Sequence, residues 1–259
     1  MELVFVTLFV NRLKTYLNSS LIGKMIERGD VSVRYIDLRD FGIGRQKQVD
    51  DYPFSEQKGM LIRAEVLEAA IKSVDQYEDY AVLYMSPKGK RLGQQDLNNF
   101  KNKLKKVILV SGFYEGVDHR FFDLFNVLEV SIGDYVLSSG DLPALVVAEG
   151  LFRLMPSYSK EMTSIETDSF VSGLLEARAF TRPEVFEGHC VPDVLLSGHH
   201  QKVSAWKQKD ALKETVMYKA SLLGPYFDQK LKKTNQANKA NIKNKQVLAE
   251  VLKELSKGE

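Results

Sequence analysis

Five short runs of the chain, ELVFVTLF, VSVRYIDL, YAVLYMS, KVILVSG and VLEVSIG, are apolar, β-branched or aromatic, and each is bounded by turn-forming residues. Runs of that length and make-up predict short buried strands. Helical patterns separate them. MLIRAEVLEAAIKSV sets Leu67 and Ile71 four residues apart, and LPALVVAEGLFRLM carries Pro143 where a helix begins. Strands alternating with helices imply an α/β domain on a mainly parallel sheet, with its ligand site in the loops at the carboxyl ends of the strands. The character changes near Pro156, where PSYSKEMTSIETDSF is polar and has no apolar period. The expected division is an α/β domain over 1–158, a linker over 159–170, and a smaller, mostly helical domain over 171–259. The best helix candidates of that domain run from about Ala205 to Leu223 and from Ile242 to Leu255.

Several function classes drop out on composition. The single cysteine, Cys190, has no intramolecular partner, and MELVFVTLFV reaches its first positive charge only at Arg12, unlike a signal peptide. Apolar runs such as Leu142 to Ala148 are too short to span a bilayer. These features predict a soluble cytoplasmic protein with no membrane partner. A net charge of +2 does not by itself argue for a polyanion. Charge is uneven, however: Lys230, Lys232, Lys233, Lys239, Lys243 and Lys245 lie in a stretch without an acidic residue between Gln229 and Ala249. A phosphate-touching tail and a solvated helix are both open readings of it.

Three of the strand ends run into glycine- and serine-rich loops: YMSPKG from Tyr84, SGFYEG from Ser111, and SIGDYVLSSGDLP from Ser131. Glycine and serine let a ligand approach main-chain N–H and C=O groups. Singly, each loop is an ordinary turn. None is a phosphate-binding signature, and GIGR at 42–45 lacks the third glycine of a dinucleotide fingerprint. Together they suggest a backbone-lined pocket with few charges, suited to a purine or ribose.

The segments VSGFYEGVDHR, SIGDYVLSSGDLPA, TDSFVSGLLEARAFTRPEV and VPDVLLSGHH, with YMSPKG and VDDYP in support, resemble in order and spacing the motifs of the bacterial tRNA (guanine-N(1)-)-methyltransferase family, the TrmD type. The resemblance covers most of residues 1–206. It implies a SPOUT-class α/β fold with a deep trefoil knot, a rare exception to unknotted chains, together with a homodimer and a tRNA substrate; no DNA partner is implied. It also implies S-adenosylmethionine held by main-chain atoms of the knot loops. Here those would be Tyr84, Met85, Ser86 and Pro87 in the first loop and Gly112, Tyr114 and Glu115 in the second. The third loop would supply Ile132, Gly133, Asp134, Tyr135, Val136 and Leu137, with Gly140 and Pro143. The apolar run that follows would pack against the partner subunit.

Methylating guanine N(1) requires loss of its proton. The resemblance makes Asp168 in ETDSF the general base and Arg153 in LFRLMP the cation that stabilises charge on the guanine O6. A free aspartate has a pKa of about 3.9, a weak base for that proton, so Arg153 must acidify the guanine. On its own, TDSF reads equally as a helix N-cap or a solvated acid, and Arg153 as half of a surface ion pair. Asp50 matches a position near the target base. Arg182, Ser197, His199 and His200 stand where polar groups could hold the tRNA backbone. With one cysteine and no spaced acids, the two histidines do not suggest a metal site; magnesium is associated with the family's reaction, but no spacing here identifies ligands. The chain departs from the family in three places. FSEQKGM replaces a glycine-rich run, Phe113 stands where the family has arginine, and TLFVNRL lacks a Pro-Glu pair. Ser139 and Asp141 replace Gly and Glu. These departures leave two alternatives beside the expected enzyme: a knotted methyltransferase for another RNA nucleotide, or an RNA-binding protein without turnover.

Overall fold

The five apolar runs form one parallel sheet. Counted along the chain, β1 (Glu2–Thr7), β2 (Ser32–Asp37), β5 (Ala81–Arg91), β6 (Lys106–Val110) and β7 (Val127–Ser131) lie in the order β2-β1-β6-β5-β7. Two short strands, β3 (Asp50–Asp51) and β4 (Leu61–Ile62), pair antiparallel outside it. The computed structural model describes residues 1–54, 58–158 and 168–233. They fall into two units, Met1–Lys160 and Glu161–Glu259.

Strand alternation explains why the first unit has helices on both faces. Leu3 and Phe5 of β1 point into one cluster, with α1 (Val10–Leu17), α2 (Ser20–Glu27), α4 (Gln94–Lys103) and α6 (Asp141–Arg153). Val4 and Val6 point into the other, with α3 (Ala64–Lys72) and α5 (Arg120–Leu124). All four side chains are fully buried, so β1 is uniformly apolar rather than alternating. α6 buries six apolar residues, from Ala144 to Phe152. It passes so close to α4 that a Cβ on Gly150 would stand 2.6 Å from Leu97 Cδ1. The helix begins at Asp141, ahead of Pro143, which occupies its first turn.

Two connections shape the carboxyl ends of the strands. β5 does not stop where YAVLYMS stops but continues to Arg91, with Met85 and Lys90 both opposite Val130. Residues 86–89 therefore bulge out of the ladder. After β7 the chain crosses the end of β5, because Gly140 lies against Ser111 and Gly112 at the end of β6. The Gly140 N–H donates to the Gly112 carbonyl at 2.8 Å. A Cβ on Gly140 would lie 2.8 Å from Gly112 N and 2.9 Å from Ser111 Cα, so only glycine fits without moving backbone.

The second unit has a hairpin of β8 (Val185–Phe186) and β9 (His189–Cys190), followed by α7 (Asp193–Leu196), α8 (His200–Lys219) and α9 (Leu223–Lys233). α8 begins five residues before the expected Ala205. The Ile242–Leu255 helix and the tail beyond Lys233 lie outside the described residues. Leu174, Leu212 and Tyr226 form a small buried core. Beside it, Asp210, 3% exposed, accepts from Arg178 N at 2.8 Å and from Nη2 at 2.6 Å, and Leu175 N–H donates to Thr215 Oγ1 at 2.9 Å. Burial works to raise the Asp210 pKa, but the Arg178 bonds outweigh it and hold the carboxyl below its ordinary value. No helix among the described residues is long and apolar enough to cross a membrane.

Two outcomes follow. Gly140→Ala is expected to cost about 1–3 kcal/mol of stability by overpacking, visible as a lowered thermal midpoint. Asp210→Ala strands the Arg178 amide and is expected to cost about 2 kcal/mol, read by urea titration of fluorescence from Trp206, the single tryptophan, which lies on α8. Because the folded pKa of Asp210 is lowered, this contribution is full above about pH 4 and is lost as pH falls through the lowered value. The gap between wild type and variant should therefore close in acid.

Candidate active site

The loops after β6 and β7 and the bulge of β5 enclose a cavity of about 540 Å³, within the usual range for small-ligand sites. Two of these segments are turned by local serine hydrogen bonds. Ser86 Oγ accepts from Lys88 N at 3.1 Å, which turns the bulge. Ser131 Oγ accepts from Gly133 N at 3.2 Å and donates to the Gly133 carbonyl at 3.1 Å, which turns the chain out of β7. Glycine then admits main chain to the cavity. At Gly112 a Cβ would stand 2.5 Å from the Tyr84 hydroxyl. Tyr84 itself packs edge-on against Phe121 and Phe122. Burial, reinforced by Glu129, pushes its pKa up to about 12, so the phenol stays neutral.

Residues expected from sequence meet on this wall. Tyr84, Met85, Ser86 and Pro87 line it from β5, and Gly112, Tyr114 and Glu115 from the loop after β6. Ile132, Gly133, Tyr135, Val136, Leu137, Gly140 and Pro143 line it from the third loop. Asp134 does not line it: it is exposed, because the turn at Gly133 points its side chain to solvent. The wall is also more charged than the sequence suggests, since Lys88, His119 and Glu129 join Glu115. Lys88 was legible inside YMSPKG. Glu129 is two residues before Ser131 on β7, and only the pairing of β7 beside β5 reveals its place.

The hairpin of β3 and β4 seats against the second loop. Glu115 N–H donates to the Met60 carbonyl and Ile62 N–H to the Gly116 carbonyl, both at 3.0 Å. Gly59, at φ +99°, leaves no room for a Cβ beside Glu115. Asp50 lies next to the Tyr114 phenol, whose pKa is raised first by burial and then by that carboxylate. The segment FSEQKGM thus approaches the cavity through Gly59 and Met60, while residues 55–57 lie outside the described residues. Phe113 does not simply remove a charge from this region. Its ring packs 5.0 Å from Phe9, and the guanidiniums of Arg12 and Arg39 lie 4.1 and 5.0 Å from the Phe9 ring centre.

The remaining candidates are not among the residues that line the cavity. Arg153 sits in the last turn of α6, with its guanidinium 5.6 Å over the Tyr158 ring. Asp168 opens the described part of the second unit. Its carbonyl accepts from Val171 N at 3.2 Å, at the start of a loop closed by reciprocal bonds between Ser169 and Glu176. Arg182, Ser197, His199 and His200 are all exposed on the second unit. Ser197 Oγ accepts from His199 N at 3.3 Å, which sets the entry to α8. Among the described residues, no group of three or more His, Cys, Asp or Glu side chains is gathered as a metal would require.

Comparison with known proteins places this arrangement. The family model for tRNA (Guanine-1)-methyltransferase TrmD matches residues 1–225. A tRNA (guanine-N(1)-)-methyltransferase of Syntrophomonas wolfei subsp. wolfei is 39% identical over 223 residues, 86% of this chain and 90% of the relative. One from Thermus thermophilus is 40% identical over 223 residues, 86% of this chain and 92% of its own. One from Staphylococcus carnosus is 37% identical over 229 residues, 87% of this chain and 92% of its own. With a parallel sheet of the expected class, a cavity built from the expected loops and matches of this extent, the chain belongs to the TrmD family of tRNA (guanine-1)-methyltransferases.

Proposed function

We propose that this enzyme transfers a methyl group from S-adenosylmethionine to N(1) of the guanosine immediately 3′ to the anticodon of tRNA. The observation that carries the reading is the cavity where Gly140 meets Gly112, in a chain of this family. Its size and its walls suit S-adenosylmethionine: main chain reaches it at Gly112, Gly133 and Gly140, and aromatic and aliphatic side chains flank those glycines. Bound there, the donor would supply an electrophilic methyl group. The chain's own residues do the rest. Asp168 takes the N(1) proton on its carboxylate, and Arg153 holds the charge that develops on O6, so the ring nitrogen becomes nucleophilic. Alignment of nitrogen and methyl within the cavity supplies much of the remaining rate. Magnesium, associated with the family's reaction, has no cluster of three or more His, Cys, Asp or Glu side chains to hold it among the described residues.

The path from β7 across β5 to Gly140, and on into a helix packed against both α1 and α4, supports a trefoil-knotted crossing. A homodimer is part of the same reading. Asp141 and Arg153 stand at opposite ends of α6, about 18 Å apart at 1.5 Å per residue. Arg153 is thus too far along α6 for its own side chain to span to a cavity at the other end. Leu142 and Val146, 60% and 47% exposed, form an apolar stripe on the outward face of α6. A second copy packed on that stripe with its α6 antiparallel would carry its own Arg153 toward the first copy's cavity. The exposed Arg182, Ser197, His199 and His200 would then hold the phosphate backbone of tRNA, and the cytoplasm is the compartment where that substrate resides.

Methylation of tRNA transcripts tests the assignment. Changing only the guanosine 3′ to the anticodon is expected to abolish transfer, and undiminished transfer would reject this target. Asp168→Ala is expected to lower kcat by at least about a hundredfold while calorimetry finds unchanged affinity for S-adenosylmethionine. A variant as fast as wild type removes the carboxylate from the mechanism.

A further inference from the structure

The proposed chemistry leaves unused a buried acid that adjoins the cavity loops. Asp141, the first residue of α6, is 3% exposed, as deeply buried as the core around it. Its Oδ1 accepts from Thr7 Oγ1 at 2.7 Å. Thr7, fully buried at the end of β1, in turn accepts from Phe9 N at 3.0 Å. Asp141 Oδ2 is buried without a hydrogen-bond partner, and its nearest cation, Arg12 Nη1, is 4.0 Å away. Ser111 Oγ, at the end of β6, is buried beside the same carboxylate, near enough to favour its charge though outside ordinary hydrogen-bond geometry. A half-satisfied carboxylate inside a core costs stability that an apolar residue there would not. The first-turn position alone, worth about 0.3–1 kcal/mol at a helix N-terminus, does not offset that cost.

What the position does provide is a junction. The end of β1, the end of β6 and the start of α6 converge on Asp141. The next residue after Ser111 and the residue before Asp141 are Gly112 and Gly140, the pair whose main chains touch and line the cavity. We infer that Asp141 is a positioning residue for the methyl donor: its carboxylate ties the strand ends to α6, so that the main-chain groups of Gly112 and Gly140 keep the spacing the donor requires. This rests on the reading of the cavity as the donor site. Burial raises the Asp141 pKa, while the Thr7 and Ser111 hydroxyls and Arg12 oppose that rise without overcoming it. Asp141 touches neither the target base nor the transferred methyl in this role. It governs donor affinity and leaves the chemical step alone.

Steady-state kinetics on the full-length protein separate this role from a purely structural one. Asp141→Asn keeps the size of the side chain and removes its charge. It is expected to raise KM for S-adenosylmethionine by about tenfold to a hundredfold, the loss of one charged hydrogen bond, with kcat and KM for tRNA within about twofold. Thr7→Val is expected to act in the same direction, and the double variant to be no worse than Asp141→Asn alone, because both remove one junction. Asp141→Glu, which restores the charge, is expected to recover most of the affinity. An Asp141→Asn enzyme with unchanged donor KM overturns the role. So does one whose kcat falls together with its thermal midpoint while KM stays fixed, since that marks lost folded protein. Calorimetry on wild type distinguishes the two levels: protein that does not bind the donor overturns the cavity reading and this inference together. Tight wild-type binding that Asp141→Asn leaves intact overturns the positioning role alone.

Discussion

The meeting of Gly140 with Gly112 is the contact on which the site depends. Two main chains approach to 2.8 Å at a hydrogen bond, in a space where neither Gly140 nor Gly112 has room for a side chain. Because of that contact, the loop after β7 turns back over the end of β5 instead of running out into solvent. The same contact sets where α6 starts and hence which residues of α6 face the core. A cavity built this way presents peptide groups as much as side chains. Peptide groups cannot titrate and are fixed by the strands behind them, so their geometry persists over a wide range of pH.

The charged groups of the site are deployed differently. Lys88, Glu115, His119 and Glu129 line the cavity, while Arg12 and Arg39 cluster over Phe9 behind it. Phe113, which stands where the resemblance expects an arginine, packs on Phe9 and so belongs to the same cluster. Positive charge is therefore retained close to the second loop, carried by residues from α1 and from the stretch after β2.

The sheet was legible in the sequence because β1 and its neighbours are buried on both faces, which gives continuous apolar runs that no surface strand would show. The three loops were legible from glycine and serine, since the turns at Ser86 and Ser131 need those residues in just those places. What stayed hidden depends on long-range pairing. Nothing local marks Glu129 or His119 as cavity residues. Asp134 falls within the run that the resemblance assigns to the donor, yet it is exposed and is not among the residues that line the cavity. The continuation of β5 to Arg91 was hidden as well, because SPKG has the composition of a terminator. The roles proposed for Asp168 and Arg153 rest on family likeness alone, since neither residue differs locally from an ordinary capping acid or helix-end cation.

The shared pairing of Met85 and Lys90 with Val130 has a consequence for how such a wall can vary. The strand enters and leaves the ladder at the same rung, so Ser86 to Gly89 form a closed parenthesis in an otherwise continuous sentence. Their length and lettering are decoupled from the alignment of everything on either side. Rewriting that parenthesis would recontour the wall while the sheet kept its register, with two fixed characters, Ser86, whose hydroxyl turns the loop, and Gly89, pressed against the main chain of Val130.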